Sequence, residues 1–379
     1  MKFSRLVFCS IVVAFLSSAQ AVYAAIDPAA AVVKLRISCT ENSVTLANCF
    51  TSMATLTDWM ANTRTPKPNA TTPLKVEMGP GTFNHLTMTC DPAGNYTGYI
   101  AFEGSGRSQT IIKGVTISSC TDLSFSHLSV NGVGYGAIIW NDGGNSNWID
   151  VAVNGVALAW YEESCGSQKG NHYWFGSKLF ATTAFTIANT YRASCDESWF
   201  FGSEITISVP SGQNATGGAA ILAFDNGVIH VYGSALRALI DGSTTSDVMA
   251  VARLGQTNTP GTTGGEIHIH GTGIDAISQT GKNVVALYAT GNGMIHANTT
   301  AYNMSTSGTK MRIQKAQNFT GHVHAPYLWE EHPEVPNITS VNGADMAVVT
   351  NTLNGQPHLV LYSDTCQSKW FDTATQACR

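Results

Sequence analysis

A short phrase that ends in glycine or an equivalent turn residue recurs along the chain, and this repetition constrains the fold most. Most copies end in Asn-Gly or Gly-Ser. The copies are residues 128–132, 151–155, 173–177, 199–203, 230–234, 268–272 and 296–300, with the first two one residue out of register. Successive copies are 21 to 38 residues apart, a spacing typical of solenoid repeats.

A second phrase, an apolar run ending in an aromatic or charged residue, precedes copies of the first. It occupies residues 137–142, 157–162, 185–192, 220–225, 248–253 and 284–288. Turns rich in Gly, Asn and Ser separate the phrases, so each repeat contains at least two short strands. Sandwiches do not repeat one phrase in this way, and a propeller blade needs about 40–50 residues. The sequence therefore predicts an all-β fold, a single right-handed parallel β-helix of about nine or ten coils.

The two ends of the chain differ from the repeats. Residues 1–24 have the basic start, short apolar run and small-residue cleavage pattern of a signal peptide. Residues 25–72 are predicted to form an N-terminal cap, because residues 44–60 place Phe50, Met53, Leu56 and Trp59 at helical spacing. The β-helix is assigned to residues 73–345. Residues 346–379 are assigned to a C-terminal strand and a disulfide-closed tail.

Eight cysteines remain after removal of the signal peptide, an even number that is typical of exported proteins. Their spacing predicts four local disulfides, two of them with the same separation and therefore suited to link stacked coils. The predicted pairs are Cys39–Cys49, Cys90–Cys120, Cys165–Cys195 and Cys366–Cys378. No pair has the Cys-x-x-Cys spacing of a zinc site.

The start of the predicted solenoid resembles a known superfamily. Residues 75–83 read KVEMGPGTF, residues 99–107 read YIAFEGSGR, and residues 110–114 read TIIKG. This opening is similar to that of pectin-lyase-fold proteins, which include pectate lyases, polygalacturonases, pectin methylesterases, uronate epimerases, adhesins and phage tailspikes. The resemblance implies the β-helix fold. It implies no single activity, because the Gly-Arg-Pro-Trp segment of methylesterases and the Asn-Thr-Asp and Gly-His-Gly segments of polygalacturonases are absent.

Charge and hydropathy narrow the classes of partner. The net charge is −5 and only 12% of residues are charged, so the basic patch of a nucleic-acid-binding protein is not expected. No apolar run reaches the roughly 20 residues of a membrane span. An exported chain of this kind is expected to be secreted, periplasmic or on the cell surface, and to meet a polysaccharide or a cell-surface glycan.

The ends of the second-phrase strands carry the first candidate site. If the coils stack in register, these residues line one groove, with carboxylates for acid–base chemistry and arginines for uronate carboxylates. The predicted catalytic residues are Asp142, Glu162, Arg192, Asp225 and Arg253, and the predicted sugar-binding aromatics are Trp140, Tyr161 and Tyr191. The alternative is that all of these are ordinary solvated turn residues.

A ladder of histidines forms the second candidate site. His230, His268 and His296 each follow an isoleucine, so the alternation of a strand directs them outward on one face, with His324 next. Such a row could bind a glycan or a metal ion, or could be a repeat-derived ladder without a ligand. The sequence leaves the metal and any cofactor unknown. Calcium is a candidate, although no tight cluster of aspartates is present.

Two functions remain open at this point. The chain is either an enzyme that acts on a uronate-containing polysaccharide, for instance as a lyase, or a non-catalytic adhesin or structural β-helix protein. Convergence of the five predicted catalytic residues in one cleft would favour the enzyme, and their separation would favour the binding protein.

Overall fold

The computed structural model describes residues 26–379 apart from a set of short gaps. The gaps are residues 133, 135, 165–168, 183–187, 216–217, 245–248, 256–264, 299–300, 317–318, 325–330, 333–345, 351–356, 363–369, 373–376 and 379. The predicted signal peptide lies outside the described residues. No helix in the described part of the chain is long and apolar enough to cross a membrane.

The described chain is almost entirely composed of short strands. The first part contains β1 (Val32–Leu35), β2 (Thr40–Glu41), β3 (Val44–Thr45), β4 (Cys49–Phe50), helix α1 (Met53–Asp58) and a π-helical turn (Trp59–Thr63). The first coils contain β5 (Leu74–Met78), β6 (Gly81–Phe83), β7 (Leu86–Thr89), β8 (Gly98–Glu103), β9 (Thr110–Ile112), β10 (Val115–Ser118), β11 (Thr121–Ser126), β12 (Ser129–Asn131), β13 (Gly136–Asn141), β14 (Ser146–Ile149), β15 (Ala152–Gly155) and β16 (Leu158–Ser164).

The middle and last coils follow the same plan. They contain β17 (Asn171–Phe175), β18 (Lys178–Thr182), β19 (Ala188–Ala193), β20 (Glu197–Phe201), β21 (Glu204–Val209), β22 (Asn214–Ala215), β23 (Gly218–Ala223), β24 (Val228–Tyr232), β25 (Ala235–Ile240), β26 (Ser243–Thr244), β27 (Met249–Leu254), β28 (Glu266–His270), β29 (Gly273–Ile277), β30 (Val284–Ala289), β31 (Met294–Asn298), β32 (Ala301–Ser305), β33 (Lys310–Lys315) and β34 (His322–His324). Strands β35 (Glu331–His332), β36 (Met346–Thr350), β37 (Pro357–Tyr362), β38 (Trp370–Asp372) and β39 (Ala377–Cys378) complete the chain.

Three long parallel sheets wind around one core. Sheet 1 has the order β4-β1-β5-β8-β11-β14-β17-β20-β24-β28-β31-β34, sheet 2 is β6-β9-β12-β15-β18-β21-β25-β29-β32, and sheet 3 is β7-β10-β13-β16-β19-β23-β27-β30-β33. From β5 onward the chain visits the three sheets in turn and then begins the next coil. The predicted parallel β-helix is therefore confirmed, with three strands in each coil.

The recurring phrases belong to different sheets. From residue 173 onward the first phrase forms sheet 1, and the second phrase forms sheet 3 throughout. Residues 128–132 and 151–155 instead belong to β12 and β15 of sheet 2. Their one-residue offset from the other copies thus reflects a different position in the coil.

The turn between sheets 1 and 2 explains why Gly-Ser recurs. Gly176, Gly202, Gly233 and Gly271 have φ values of 56°, 56°, 53° and 55°, the left-handed region that favours glycine. The hydroxyl that follows each glycine accepts a backbone N–H from the preceding coil. These bonds run from Val151 to Ser177, from Ser177 to Ser203, from Ser203 to Ser234 and from Ser234 to Thr272.

The interior is a stack of side chains from successive coils. Alternation along each strand directs every second residue inward. In sheet 1 the inward rings of Phe102, Phe125, Trp148, Trp174 and Phe200 are stacked, with centroids 4.2 to 5.8 Å apart. The row continues with the buried side chains of Val231, Ile269 and Ala297, so the core changes from aromatic to aliphatic along the axis.

The N-terminal cap contains a shorter helix than predicted. Helix α1 begins at Met53, after Ser52 accepts the N–H of Thr55, and residues 44–45 and 49–50 are strands. Cys49 pairs in register with Lys34 of β1, which holds this part of the chain extended. Met53, Leu56, Trp59 and Met60 are buried in the common core, as the helical spacing indicated.

The disulfides that the structure describes match the predicted pairs. Cys39 is bonded to Cys49 and Cys90 to Cys120, with Cα atoms 5.6 and 4.9 Å apart. Cys195 is also disulfide-bonded, while its predicted partner Cys165 lies outside the described residues. Cys366, the predicted partner of Cys378, lies outside them as well.

Two strand pairings cross the predicted domain boundaries. Strand β1, inside the range assigned to the cap, joins sheet 1 through β5. Strand β35 lies inside the range assigned to the β-helix, but it pairs with β36 of a separate five-stranded C-terminal sheet. The described solenoid strands end with β34.

Candidate functional site

The outer face of sheet 3 brings together part of the first predicted site. Tyr161, Arg192, Leu222, Arg253 and Tyr288 are register partners in five consecutive strands. We call this set the sheet 3 row. Parallel strands are about 4.8 Å apart, so the two arginines are separated by about 10 Å. The predicted alignment of Tyr161, Arg192 and Arg253 along one line is therefore present.

Aromatic rings hold both guanidinium groups of this row. The Cζ atom of Arg192 lies 5.1 Å from the ring centroid of Tyr161 and 4.4 Å from that of Phe224. Among the described residues, no acceptor forms a hydrogen bond with the buried Nε atom of Arg192. Arg253 lies over the ring of Tyr288 at 5.1 Å, and its Nε donates to the carbonyl of Gly255. Two rings thus fix the guanidinium of Arg192, and the residue as a whole is partly exposed.

The predicted acids do not converge on this row. Asp142 and Asp225 follow β13 and β23 in turns with positive φ values of 44° and 56°. Three strand steps separate these turns, which corresponds to about 14 Å. A carboxylate pair for acid–base hydrolysis needs about 5–10 Å, so these two aspartates do not form one.

Three predicted site residues lie inside the coil, and their assignment to an exposed groove is wrong. Trp140 and Tyr191 are 0% exposed and Glu162 is 2% exposed. Trp140 packs against Trp160, with ring centroids 5.3 Å apart, and the hydroxyl of Tyr191 bonds to Ser198 at 2.7 Å. The cause is strand alternation. Since Tyr161 and Arg192 point outward, their neighbours in β16 and β19 must point inward.

Glu162 has a structural role at the start of the next turn. Its carboxylate oxygens accept the backbone N–H groups of Ser194, Cys195 and Asp196. Burial and the nearby carboxylate of Asp196 raise the pKa of Glu162 to about 8, against the effect of the three N–H donors. The sulfur of Cys195 is close, but a disulfide sulfur is not a free thiolate ligand.

A second buried polar cluster was not predicted from the sequence. Ser146 Oγ lies 2.8 Å from His172 Nδ1, and His172 Nε2 lies 2.9 Å from Asp196 Oδ2. Trp148 Nε1 donates to the same serine at 2.7 Å. The order Ser–His–Asp resembles a hydrolytic triad, yet Ser146 and His172 are 0% exposed. A substrate cannot reach them, so this cluster stabilises the coil interior.

The predicted histidine row lies on the outer face of sheet 1. Tyr173, Trp199, His230, His268, His296 and His324 are register partners in six consecutive strands. From Trp199 to His324 the ring centroids are 3.9 to 5.1 Å apart. Phe175, Phe201, Tyr232 and His270 form a parallel row at 5.1 to 5.5 Å. The two rows together are called the sheet 1 face.

Two carboxylates contact this face. Glu197 lies 2.8 Å from His230 Nε2, and Glu266 lies 3.2 Å from His268 Nε2. Burial, followed by neighbouring imidazoles, lowers the pKa of His230 and of His296. Because most of the rings stack on one another, they present edges rather than flat faces to solvent. Sugar rings stack on flat aromatic faces, so the edges favour polar ligands.

Among the described residues, one group has three potential metal-ligand atoms within 4.8 Å of one another. It consists of Glu162, Cys195 and Asp196. It is enclosed by backbone donors and a disulfide. Calcium takes six to eight oxygen ligands, and this group does not fit that requirement.

Comparison with known proteins reveals similarity of structure only. No family model and no curated protein matches the chain. A pectin methylesterase mutant in complex with a hexasaccharide is 12% identical, with a TM-score of 0.42 over 76% of this chain and 92% of that chain. PemA from Erwinia chrysanthemi is 12% identical, with a TM-score of 0.39 over 77% and 89%. The A-module of the mannuronan C-5 epimerase AlgE6 from Azotobacter vinelandii is 12% identical, with a TM-score of 0.23 over 68% and 91%.

Proposed function

We propose that this chain binds an acidic extracellular polysaccharide along the sheet 3 row, without a catalytic step. The observation that carries the proposal is Arg192, a partly exposed residue whose guanidinium is held between the rings of Tyr161 and Phe224. A guanidinium fork fixed in this way is prepared for the two oxygens of a uronate carboxylate.

Tyr161 and Arg192 are the partly exposed members of the row. The ring of Tyr161 offers apolar surface for a sugar ring beside the guanidinium of Arg192. Arg253 and Tyr288 follow in register but are only 4% and 5% exposed, so the contact with a ligand is confined to the Tyr161–Arg192 end of the row. Local disulfides agree with an extracellular or periplasmic location, where thiols are oxidised.

Binding is favoured over lyase or hydrolase chemistry by the position of the acids. Glu162 is turned into the core, and Asp142 and Asp225 lie three coils apart. The described part of the row therefore supplies arginines and rings but no pair of carboxylates placed to share a proton transfer. An adhesin or glycan-binding protein needs the arginines and rings but no such pair of carboxylates.

Titration of the purified mature chain with polygalacturonate, alginate, hyaluronan and a neutral glycan tests the proposal. We expect saturable binding to at least one acidic polymer, which weakens with salt because the contact is ionic. Arg192→Gln should weaken it at least about tenfold, since a charge-assisted bond contributes about 1.5–3 kcal/mol. Arg237→Gln is the matched control, because Arg237 lies on sheet 2 and pairs with Asp275.

The same titration separates the alternatives. Equal binding of the neutral glycan, or unchanged binding by Arg192→Gln, would overturn the proposal. Release of unsaturated uronate products, detected by their ultraviolet absorbance and lost in Arg192→Gln, would establish a lyase instead.

A further inference from the structure

Five imidazoles lie on three adjacent strands at the end of sheet 1. Strand β28 contributes His268 and His270, β31 contributes His296, and β34 contributes His322 and His324. Each His-x-His pair directs both side chains to the outer face of its strand. His296 lies between the two pairs, in register with His268 on one side and with His324 on the other.

The spacing of these rings is close to what a shared ion requires. The centroid of His296 is 5.1 Å from that of His268 and 4.9 Å from that of His324. An ion bound at 2.0–2.1 Å brings two imidazole nitrogens to within about 4.2 Å of each other. The rings are also tilted, by 29° and 42°, whereas His230 and His268 are tilted by only 12°. The centroids of His322 and His324 are 6.1 Å apart, so this pair lies beside His296 on the adjacent strand. The nitrogens of the described rings are too far apart to hold one ion as they stand. Coordination therefore requires side-chain rotation, which the exposure of His322 and His324 allows.

The central histidine has an unused nitrogen. Nε2 of His296 is buried and has no hydrogen-bond partner among the described residues. The carboxylate of Glu266, 3.2 Å from His268 Nε2, adds a negative charge at the edge of the group.

We propose that His296, His322 and His324 form a binding site for a divalent late-transition-metal ion, such as Zn²⁺ or Ni²⁺. Imidazole is a preferred ligand of these ions, while Ca²⁺ prefers oxygen. The site is on a different sheet from the proposed polysaccharide site. The two proposals can therefore fail independently.

Calorimetric titration of the untagged, chelator-treated mature chain with Ni²⁺ and Zn²⁺ at pH about 7.5 tests the site. We expect saturable binding of one ion, weakened at least about tenfold by His296→Ala and by His324→Ala, the usual loss for one metal contact. His85→Ala is the matched control, since His85 is an exposed histidine bonded to Thr116, outside the sheet 1 face. Affinity should also fall sharply near pH 5.5, where protons compete for imidazole.

A second measurement guards against a variant that fails to fold. The ion should raise the thermal midpoint of the wild-type chain and of His85→Ala, because it binds only the folded state. His324 is exposed at the last solenoid strand, so His324→Ala should retain the wild-type circular dichroism while losing this shift. The absence of saturable binding, or equal affinity of the wild type and both site variants, would overturn the proposal.

Discussion

Trp160 and Tyr161 are neighbours in strand β16, yet one lies inside the coil and the other outside it. Trp160 is 0% exposed and contacts the rings of Trp140, Trp148, Trp174 and Tyr191. Tyr161 supports the guanidinium of Arg192 on the outer face. The same division holds one coil later, where Tyr191 points inward and Arg192 outward.

The two sides differ in how their polar groups are satisfied. Inside, Glu162 accepts three backbone N–H groups, and His172 lies within bonding distance of Ser146 and Asp196. Outside, the Nε donor of Arg192 lacks an acceptor among the described residues. The inner polar groups thus stabilise the fold, whereas the partly exposed Tyr161 and Arg192 are the outer groups proposed to bind a ligand. The predictions below test whether stability and binding divide in this way.

The largest expected effect is on the inner side. Trp160→Ala should reduce the free energy of unfolding by about 3–5 kcal/mol, because it removes a large buried ring. Tyr161→Ala should cost about 1 kcal/mol, through lost cation–π contact, and should weaken polysaccharide binding. Urea unfolding gives the free energy of unfolding of both variants, and polysaccharide binding is measured on the same samples. If the two variants lost similar amounts of stability, inward and outward side chains of β16 would contribute equally to the fold, against the division described above.

Strand alternation also explains which parts of the site the sequence could predict. The repeated phrases predict the solenoid, the outward histidines and the line from Tyr161 to Arg253, because all of these follow from register. Glu162 and Tyr191 were misplaced because each lies one residue from an outward-facing member of the sheet 3 row, and a shift of one residue reverses the face. Trp140 was misplaced because it is in register with the inward-facing Glu162. The cluster of Ser146, His172 and Asp196 has no local motif. Its members come from strands or turns of different coils, so only stacking reveals it.

A medium effect is expected where a buried carboxylate is removed. Glu162→Ala leaves the N–H groups of Ser194, Cys195 and Asp196 without their acceptor. An unsatisfied buried donor costs about 1–3 kcal/mol, so stability should fall by at least that amount while binding by the folded protein is unchanged. Asp225→Asn is the control outside the core, since Asn tolerates the positive φ of 56° at that turn. Its stability should change by less than about 0.5 kcal/mol. A greater loss in Asp225→Asn than in Glu162→Ala would contradict the structural role given to Glu162.

The last prediction concerns the pH dependence of stability on the two sides. The pKa of Glu162 is raised from 4.5 to about 8, so the folded state binds this proton more tightly and its contribution to stability is lost as pH rises between those values. Burial lowers the pKa of His230 below 6.5, so the folded state favours neutral imidazole, and stability is lost as pH falls below 6.5.

Thermal midpoints measured across this pH range should therefore respond oppositely in two variants. The thermal midpoint of Glu162→Ala should fall less than that of the wild type as pH rises from 4.5 to about 8, because the variant has no Glu162 proton to lose. His230→Phe retains a ring between Trp199 and His268 and should lose less stability than the wild type as pH falls. The acidic response reflects the sheet 1 face, where Glu197 and Glu266 favour the charged form of His230 and thereby reduce the effect of its burial. Identical pH profiles for the wild type and His230→Phe would mean that the histidine row does not contribute to the acid sensitivity of the fold.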